Sequence, residues 1–301
     1  MATSTKTIHD AFLAEHEAKH AKHFHHTSKL KEVQLSLKEI FEDIIKNDFY
    51  SKNSALKQIE FLVLLTAIDE INESMIANLE EQRFSAAEAL ARIALEHSIN
   101  FIYIVDDPTN GRAMSLLKQH FFGARERAKK WHSYLQGTKN TEGIEVAKAR
   151  LHHLNVTEKL VPGVEKANPW PDARRRFQAL GFEHFYHDLF TPASDSVHTL
   201  GEDIFNLLLA NSDDTEIRSL SIRSVFSDKM SFSVYVCASV LTFYVEAIYQ
   251  LSRYIENEEM EIKAEKLAEI VNKITRSMND DTISDLLTVY PSSITDSAAP
   301  T

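Results

Sequence analysis

The stretch MSFSVYVCASVLTFYV, residues 230–245, decides the fold class. Its 16 residues carry no charge, and Glu246 ends the run. A membrane span needs about 20 apolar residues, whereas this run is shorter and includes three serines and one threonine. We therefore predict that residues 232–254 form the central buried helix of a helical protein.

Outward from this helix, apolar residues recur at spacings of three and four, which is typical of amphipathic helices. Glycine and proline number only seven each in 301 residues, too few for the tight turns of many short strands. Ser85 and Glu88 fit a capping box at the start of one helix, and Asp107-Pro108 should stop it. The sequence predicts an all-α bundle of about six long helices, an irregular Pro/Gly-punctuated segment over 156–199 and at most one small β-hairpin. Residues 217–226 form either that hairpin or a loop.

Three parts are predicted along the chain. Residues 1–28 form a polar, histidine-rich N-terminal helix or exposed arm, residues 29–288 a single helical-bundle domain, and residues 289–301 a disordered tail. His16, His20 and His23 share one helix face, where we expect only adventitious Zn²⁺ or Ni²⁺ binding. We therefore predict no resident metal. We also predict no cofactor, since the glycine loops that bind nucleotide phosphates are absent from the sequence.

Charge is distributed unevenly. The chain carries a net charge of −11, yet residues 111–180 hold 14 Lys/Arg against 6 Asp/Glu. A basic middle of this kind favours a local anion-binding face. One cysteine excludes an internal disulfide, and the N-terminus lacks the apolar core of a signal peptide. We expect a cytoplasmic protein with no membrane partner.

Arg92-Ile-Ala-Leu-Glu-His97 fits the spacing of arginine and histidine in HEPN domains (higher eukaryote and prokaryote nucleotide-binding), and it resembles them. These domains are helical bundles, and many members are metal-independent ribonucleases of bacterial defence and toxin systems. In that chemistry an imidazole deprotonates the ribose 2′-hydroxyl and a guanidinium stabilises the phosphate charge. About two matches to so short a pattern are expected by chance, and an ion pair between Arg92 and Glu96 explains the residues equally simply.

A second group of reactive residues follows at Tyr186, Ser194 and His198. Ser194 and His198 are four residues apart, so one helical turn would bring them together. A serine hydrolase using Ser194, His198 and Asp195 or Asp188 ranks last, because no Gly-x-Ser-x-Gly elbow occurs. The simpler alternative makes Ser194 a helix cap and His198 a hydrogen-bonded core residue.

The two groups together resemble an uncharacterised family of bacterial helical proteins, over about residues 60 to 255. Its members share an Arg-x₃-Glu helix, an Asp-Pro stop and a distal Ser-x₃-His. The resemblance implies that Arg92, Glu96, Tyr186, Ser194 and His198 meet in one polar pocket, which is either structural or a ligand site.

Our leading hypothesis is a HEPN-like ribonuclease that acts on RNA in a bacterial defence or toxin context. The predicted catalytic residues are Arg92, Glu96, His97, Tyr186, Ser194 and His198. The predicted phosphate-backbone contacts are Arg125, Arg127, Lys129, Lys130, Arg174, Arg175 and Arg176. The alternative is a non-enzymatic scaffold or sensor subunit with a partner protein or a second copy, which oligomerises through the helix over 232–254 or the closing acidic helix.

Overall fold

The computed structural model describes residues 5–46, 55–138, 140–198, 201–211 and 215–289, and within these ranges it contains helices and no strand. The side chains of residues 5–9, 195–198, 202 and 283–289 lie outside this description. The all-α prediction is confirmed. The predicted number of about six long helices is not confirmed, since the described ranges contain eight helices of 17 or more residues.

The elements follow one another with short connections. The first half of the chain forms α1 (Thr5–Ala21), a 3₁₀ turn (Lys22–His25), α2 (His26–Lys46), α3 (Ala55–Glu80), α4 (Phe84–Val105), α5 (Gly111–Thr138) and α6 (Thr141–Glu158). The second half forms α7 (Ala173–Ala179), α8 (Glu183–Phe185), a π-helical turn (Tyr186–Phe190), α9 (Thr191–His198), α10 (Gly201–Leu209), α11 (Thr215–Tyr254) and α12 (Glu258–Val289).

Helix α11 is the central element, because α1, α2, α4 and α12 all pack against it. Most of its side chains from Val234 to Leu251 are buried, and each large apolar one contributes about 1.5–3 kcal/mol. By length and composition α11 would also pass as a membrane span, but 78% of its most apolar window is buried inside the protein. Most side chains of residues 232–254 pack inside the same chain, and oligomerisation through this helix stays a prediction.

A buried ion network joins α4, α10 and α11. Glu88 is fully buried and accepts hydrogen bonds from Lys229 (2.7 Å) and Ser233 (2.5 Å). Lys229 also pairs with Asp203 at 2.8 Å. Burial lowers the pKa of Lys229, but its bonds to Asp203 and Glu88 outweigh that effect and raise the pKa above its ordinary value. The predicted capping box is therefore wrong, since Glu88 points into the core and α4 begins at Phe84.

The turn between α4 and α5 is organised by Asp107. Its carboxylate accepts hydrogen bonds from the backbone N–H groups of Thr109 (2.9 Å) and Arg112 (2.8 Å), which starts α5. Its carbonyl oxygen accepts from the buried ammonium of Lys57. The predicted Asp-Pro stop is confirmed, with Val105 as the last residue of α4.

Helices α5 and α6 form an antiparallel hairpin with a small core of its own. Phe121, Ala124, Ala128, Leu154 and Val164 make up this second apolar cluster. Asn140 caps α6 by accepting a hydrogen bond from the backbone N–H of Gly143 at 2.9 Å. The hairpin carries four of the basic residues that the sequence assigns to nucleic-acid binding.

Two further local predictions differ from the structure. Residues 217–226 belong to α11 rather than to a β-hairpin, because the small side chains of Ser224 and Ser227 are buried and let α1 approach. The exposed N-terminal arm is instead packed, with His20 7% and His23 2% exposed. The disordered tail, apart from Val289, lies outside the described residues.

Candidate functional site

Helix α4 places Arg92 and Glu96 one turn apart on the same face. Arg92 Nη1 donates to Glu96 Oε2 at 2.9 Å, the ion pair that their spacing predicts. The Arg92 side chain is 17% exposed, whereas that of Glu96 is 40% exposed. The carboxylate therefore faces solvent while its arginine partner is largely covered.

A second arginine reaches the same carboxylate from α7. Arg176 Nη2 donates to Glu96 Oε1 at 3.2 Å, and its Nη1 donates to the carbonyl of Pro171. Asp172 starts α7 by accepting from the N–H of Arg175 at 2.9 Å. Each oxygen of Glu96 thus binds a different guanidinium, and we call Arg92, Glu96 and Arg176 the double-arginine site.

Aromatic rings cover both guanidinium groups. The Cζ atom of Arg92 lies 3.3 Å from the centre of the Phe190 ring, and that of Arg176 lies 5.3 Å from the centre of the Trp170 ring. Tyr186 stacks on Phe190 with 5.3 Å between ring centres. Cations over aromatic faces are stabilised electrostatically, and this is strongest where water is excluded.

The turn after α7 brings the π-helical segment to the site. Gly181 has a φ of 77°, and the N–H of Phe182 donates to the carbonyl of Phe177 at 2.8 Å. This is a helix C-terminal motif in which only glycine adopts the left-handed conformation without strain. The chain therefore reverses and returns Phe190 to Arg92.

Two donors of the double-arginine site are left over. The Nε atoms of Arg92 and Arg176 are buried and have no hydrogen-bond partner among the described residues. Burial lowers the pKa of Arg176, with Glu96 opposing that effect, but an arginine in a protein stays protonated. Two cations therefore share one carboxylate, and the site retains a net positive charge.

The structure separates His97 from this arrangement. Its side chain makes none of the described contacts that unite Arg92, Glu96 and Arg176. Burial lowers the pKa of His97, partly offset by Glu96, and its Nδ1 is buried without a hydrogen-bond partner in the described part of the chain. The imidazole is thus partly buried, and burial favours its neutral form.

Helix α9 carries the distal predicted residues and packs along α4. Ser194 is partly buried, and Thr191 donates to the carbonyl of Tyr186 at 2.9 Å, which ties α9 to the π-helical turn. The side chain of His198 lies outside the described residues. Tyr186 lines a surface recess of about 450 Å³ together with Asp172, Ala173, Arg174, Arg175 and Gln178.

The predicted nucleic-acid residues fall on two elements. On α7, Arg174 is exposed and pairs with Glu183 at 2.8 Å, Arg175 is exposed, and Arg176 is buried in the double-arginine site. The other four lie on α5.

The α5 residues are also unequal. Arg125 pairs with Glu158 of α6, and Lys129 pairs with Glu126 at 2.9 Å. Arg127 and Lys130 are exposed. The exposed rings of Phe122, Trp131 and Tyr134 lie on the same helix.

Sequence reasoning missed Phe190 and Trp170 and gave Arg176 a different role. All three reach the site from a distant part of the chain, and no spacing rule relates them to α4. The available signal was the run Trp170-Pro171-Asp172, in which Asp172 has the character of a helix N-cap.

These features define a class of all-helical protein with two aromatic-covered arginines converging on one carboxylate. Residues 58–216, more than half of the chain, match the model of a family of unknown function, DUF5677, and the chain belongs to that family. The matched region contains the whole double-arginine site. No curated protein matches the chain, and no solved structure matches it.

Proposed function

We propose that the protein is a HEPN-like, metal-independent ribonuclease of a bacterial defence or toxin system and that it cleaves RNA at the double-arginine site. The observation that carries the proposal is the solvent-facing carboxylate of Glu96, held by one guanidinium on each oxygen. A carboxylate held in this way has a fixed orientation from which it can accept a proton. The two guanidinium groups beside it can bind the negative charge of a phosphodiester.

The proposed reaction is an internal transesterification. Glu96 removes the proton of the ribose 2′-hydroxyl, and the 2′ oxygen then forms a bond to phosphorus. The bond from phosphorus to the 5′ oxygen breaks, and that oxygen takes a proton from an imidazole, for which we propose His198. Arg92 and Arg176 stabilise the negative charge that develops on the phosphate oxygens. The products are a 2′,3′-cyclic phosphate and a 5′-hydroxyl.

Glu96 replaces His97 in this proposal because of its exposure. A general base must come within hydrogen-bond distance of the proton that it removes. The Glu96 side chain is 40% exposed, whereas His97 is partly buried, its Nδ1 atom is enclosed, and burial lowers its pKa. Before RNA binds, the ion pairs with Glu96 hold both arginines in place. When the phosphate binds, one guanidinium must give up its hydrogen bond to Glu96 in order to contact the phosphate.

The basic residues outside the site would hold the RNA backbone. Arg174 and Arg175 line the recess beside Tyr186, and Arg127 and Lys130 form a second exposed basic surface on α5. Contacts of this kind give affinity without sequence preference.

The test is incubation of the purified protein with total RNA and a tRNA pool in the presence of EDTA. The variants are Glu96→Gln, Arg92→Ala and His198→Ala, with Arg83→Ala as a control because Arg83 is exposed and lies outside both the site and the proposed RNA contacts. We expect cleavage with cyclic phosphate ends in the wild type and in the control, and its loss in the other three at unchanged helical content. Equal cleavage by Glu96→Gln, or no cleavage by the wild type on either substrate, contradicts the proposal.

A second candidate function is the scaffold or sensor subunit, and α10 favours it. Five large apolar side chains of this nine-residue helix are exposed, Ile204, Phe205, Leu207, Leu208 and Leu209, at 39–68% of their surface. Phe226 of α11 is also 57% exposed. An exposed apolar helix of this kind marks an interaction site, and we propose a second copy of the chain as its occupant.

A further inference from the structure

A row of histidines on the N-terminal helices faces acidic groups of two distant helices. His16, His20, His23 and His26 follow at intervals of four, three and three residues, with ring centres 4.1, 5.4 and 6.4 Å apart along the row. Asp228 and Ser231 of α11 and Asp281 of α12 contact this row. These residues lie outside the region that matches the family model.

Two of the imidazoles converge on one carboxylate oxygen. His16 Nε2 lies 2.6 Å and His20 Nδ1 lies 3.1 Å from Asp228 Oδ1, and the three ligand atoms all lie within 4.8 Å of one another. Ligand atoms around a tetrahedral Zn²⁺, at about 2.0–2.2 Å from the metal, are about 3.3 Å apart. The three side chains therefore need to shift by less than about 1 Å to surround an ion.

We propose that His16, His20 and Asp228 bind a divalent transition-metal ion of the Zn²⁺ class. Two imidazole nitrogens and one carboxylate oxygen suit Zn²⁺, Co²⁺ or Ni²⁺, whereas Mg²⁺ and Ca²⁺ prefer oxygen ligands alone. The two histidines are one helical turn apart on α1, and the carboxylate comes from α11. The ion would thus join the first helix of the chain to its central helix.

His23 supports the site without entering it. Its Nδ1 lies 2.7 Å from Ser231 Oγ and its Nε2 lies 3.0 Å from Asp281 Oδ2, so both ring nitrogens are engaged. Asp281 also lies 3.7 Å from the ammonium of Lys19, with which its backbone carbonyl forms a hydrogen bond at 2.6 Å. These bonds hold the next turn of the histidine row against α11 and α12, which keeps His16 and His20 directed at Asp228.

The burial pattern leaves a route for the ion. The His16 and His20 side chains are 16% and 8% exposed, but that of Asp228 is 47% exposed. An ion reaches the cluster from the Asp228 side, and a fourth position remains for water there. Three protein ligands and one water is the usual count for an open zinc site.

The test is a titration of the tag-free, EDTA-stripped full chain with Co²⁺, followed by its visible absorption bands, with Zn²⁺ as competitor. We expect one equivalent to bind and Zn²⁺ to displace it. Asp228→Asn and His20→Gln should weaken binding by more than about tenfold. Substitution of residues that only support metal ligands already lowers metal affinity by at least about tenfold, and a lost ligand should cost more. His25→Gln is the matched control, since His25 is exposed and outside the cluster.

A second measurement separates a folding defect from a lost ligand. Zn²⁺ should raise the Tm of the wild type and of His25→Gln but not of Asp228→Asn, whose half-exposed side chain keeps its shape. Binding by Asp228→Asn equal to that of the wild type shows adventitious capture by exposed histidines and overturns the proposal. Absence of stoichiometric Co²⁺ or Zn²⁺ binding by the wild type also overturns it. Neither result bears on RNA cleavage, which is assayed in EDTA.

Discussion

Arg92 and Phe190, 98 positions apart in the chain, form a cation–π contact in which the guanidinium carbon lies 3.3 Å from the ring centre. The ring comes from the last residue of the π-helical turn, so the unusual geometry of that turn positions the cation on α4. π-Helical turns occur frequently at functional sites, where the extra residue directs a side chain.

Phe190→Leu keeps an apolar side chain and removes the ring beneath Arg92. We expect the free energy of unfolding to fall by about 0.5–2 kcal/mol and RNA cleavage to fall more than stability does, because the guanidinium loses its orientation. Urea unfolding and the RNA assay measure the two effects. Phe122→Leu is the control, since that ring is 59% exposed on α5. Unchanged cleavage in Phe190→Leu argues against a role for the contact.

Lys229→Met should destabilise the protein strongly. Glu88 is fully buried, and the substitution leaves its charge without a cation, which costs about 3–5 kcal/mol. Adding Glu88→Gln to the same chain should recover part of the loss. Lys31→Met provides the contrast, because its pair with Glu80 is exposed and worth at most about 1 kcal/mol. Similar Tm values for the two lysine variants would refute this account of the network.

Glu60 should make stability depend on pH. Burial raises the pKa of Glu60 to about 8, although Lys57 opposes the shift. The folded state then keeps a proton that the unfolded state loses above its ordinary pKa of 4.5. The stabilisation is complete below pH 4.5 and is lost as the pH rises towards 8.

Glu60→Gln removes this dependence. We expect the variant to exceed the wild type by at least about 1 kcal/mol in free energy of unfolding at pH 8, and by less at pH 5. Denaturant unfolding at the two pH values measures the difference. The control Glu15→Gln alters an exposed residue, and its difference from the wild type in free energy of unfolding should be the same at both pH values. A difference between Glu60→Gln and wild type that is equal at both pH values means that Glu60 is ionised in the folded state.

Arg127→Ala combined with Lys130→Ala should weaken RNA binding without loss of the hairpin. Both side chains are exposed, and the slope of log affinity against log salt should fall by about 1 for each phosphate contact removed. Lys31→Ala with Lys38→Ala removes the same charge from α2 and serves as the control. An equal change in slope for both pairs indicates general electrostatic attraction rather than a surface on α5.

Leu208→Glu should convert a dimer into a monomer if α10 pairs with a second copy. The side chain is 68% exposed, and a carboxylate there is tolerated by the monomer but not by an apolar interface. Light scattering after size-exclusion chromatography measures the mass. Leu35→Glu, at a 51% exposed leucine of α2, is the matched control. A wild type that is monomeric at all accessible concentrations removes this candidate interface.

The fold class, most helix positions and the Asp107 stop follow from the sequence, because they depend on neighbours within a few residues. The ion pair of Arg92 and Glu96 is of the same kind. Arg176 and Phe190 are not predictable in this way, since the reversal at Gly181 decides which side chains return to α4. Residues 217–226 were also not predictable from their own sequence, because their place in α11 depends on packing against α1, at which the buried Ser224 lies.

The hairpin of α5 and α6 has a small core of five residues, separate from the large cluster around α11. Its structure is therefore held by fewer buried contacts than the rest of the bundle, and its amide hydrogens should exchange with solvent through local opening rather than global unfolding. The most basic part of the chain is then also a unit that can loosen while the helices around α11 stay closed. RNA bound to this hairpin would slow the exchange of its amide hydrogens. Binding of a polyanion would therefore be measured as a gain in local order.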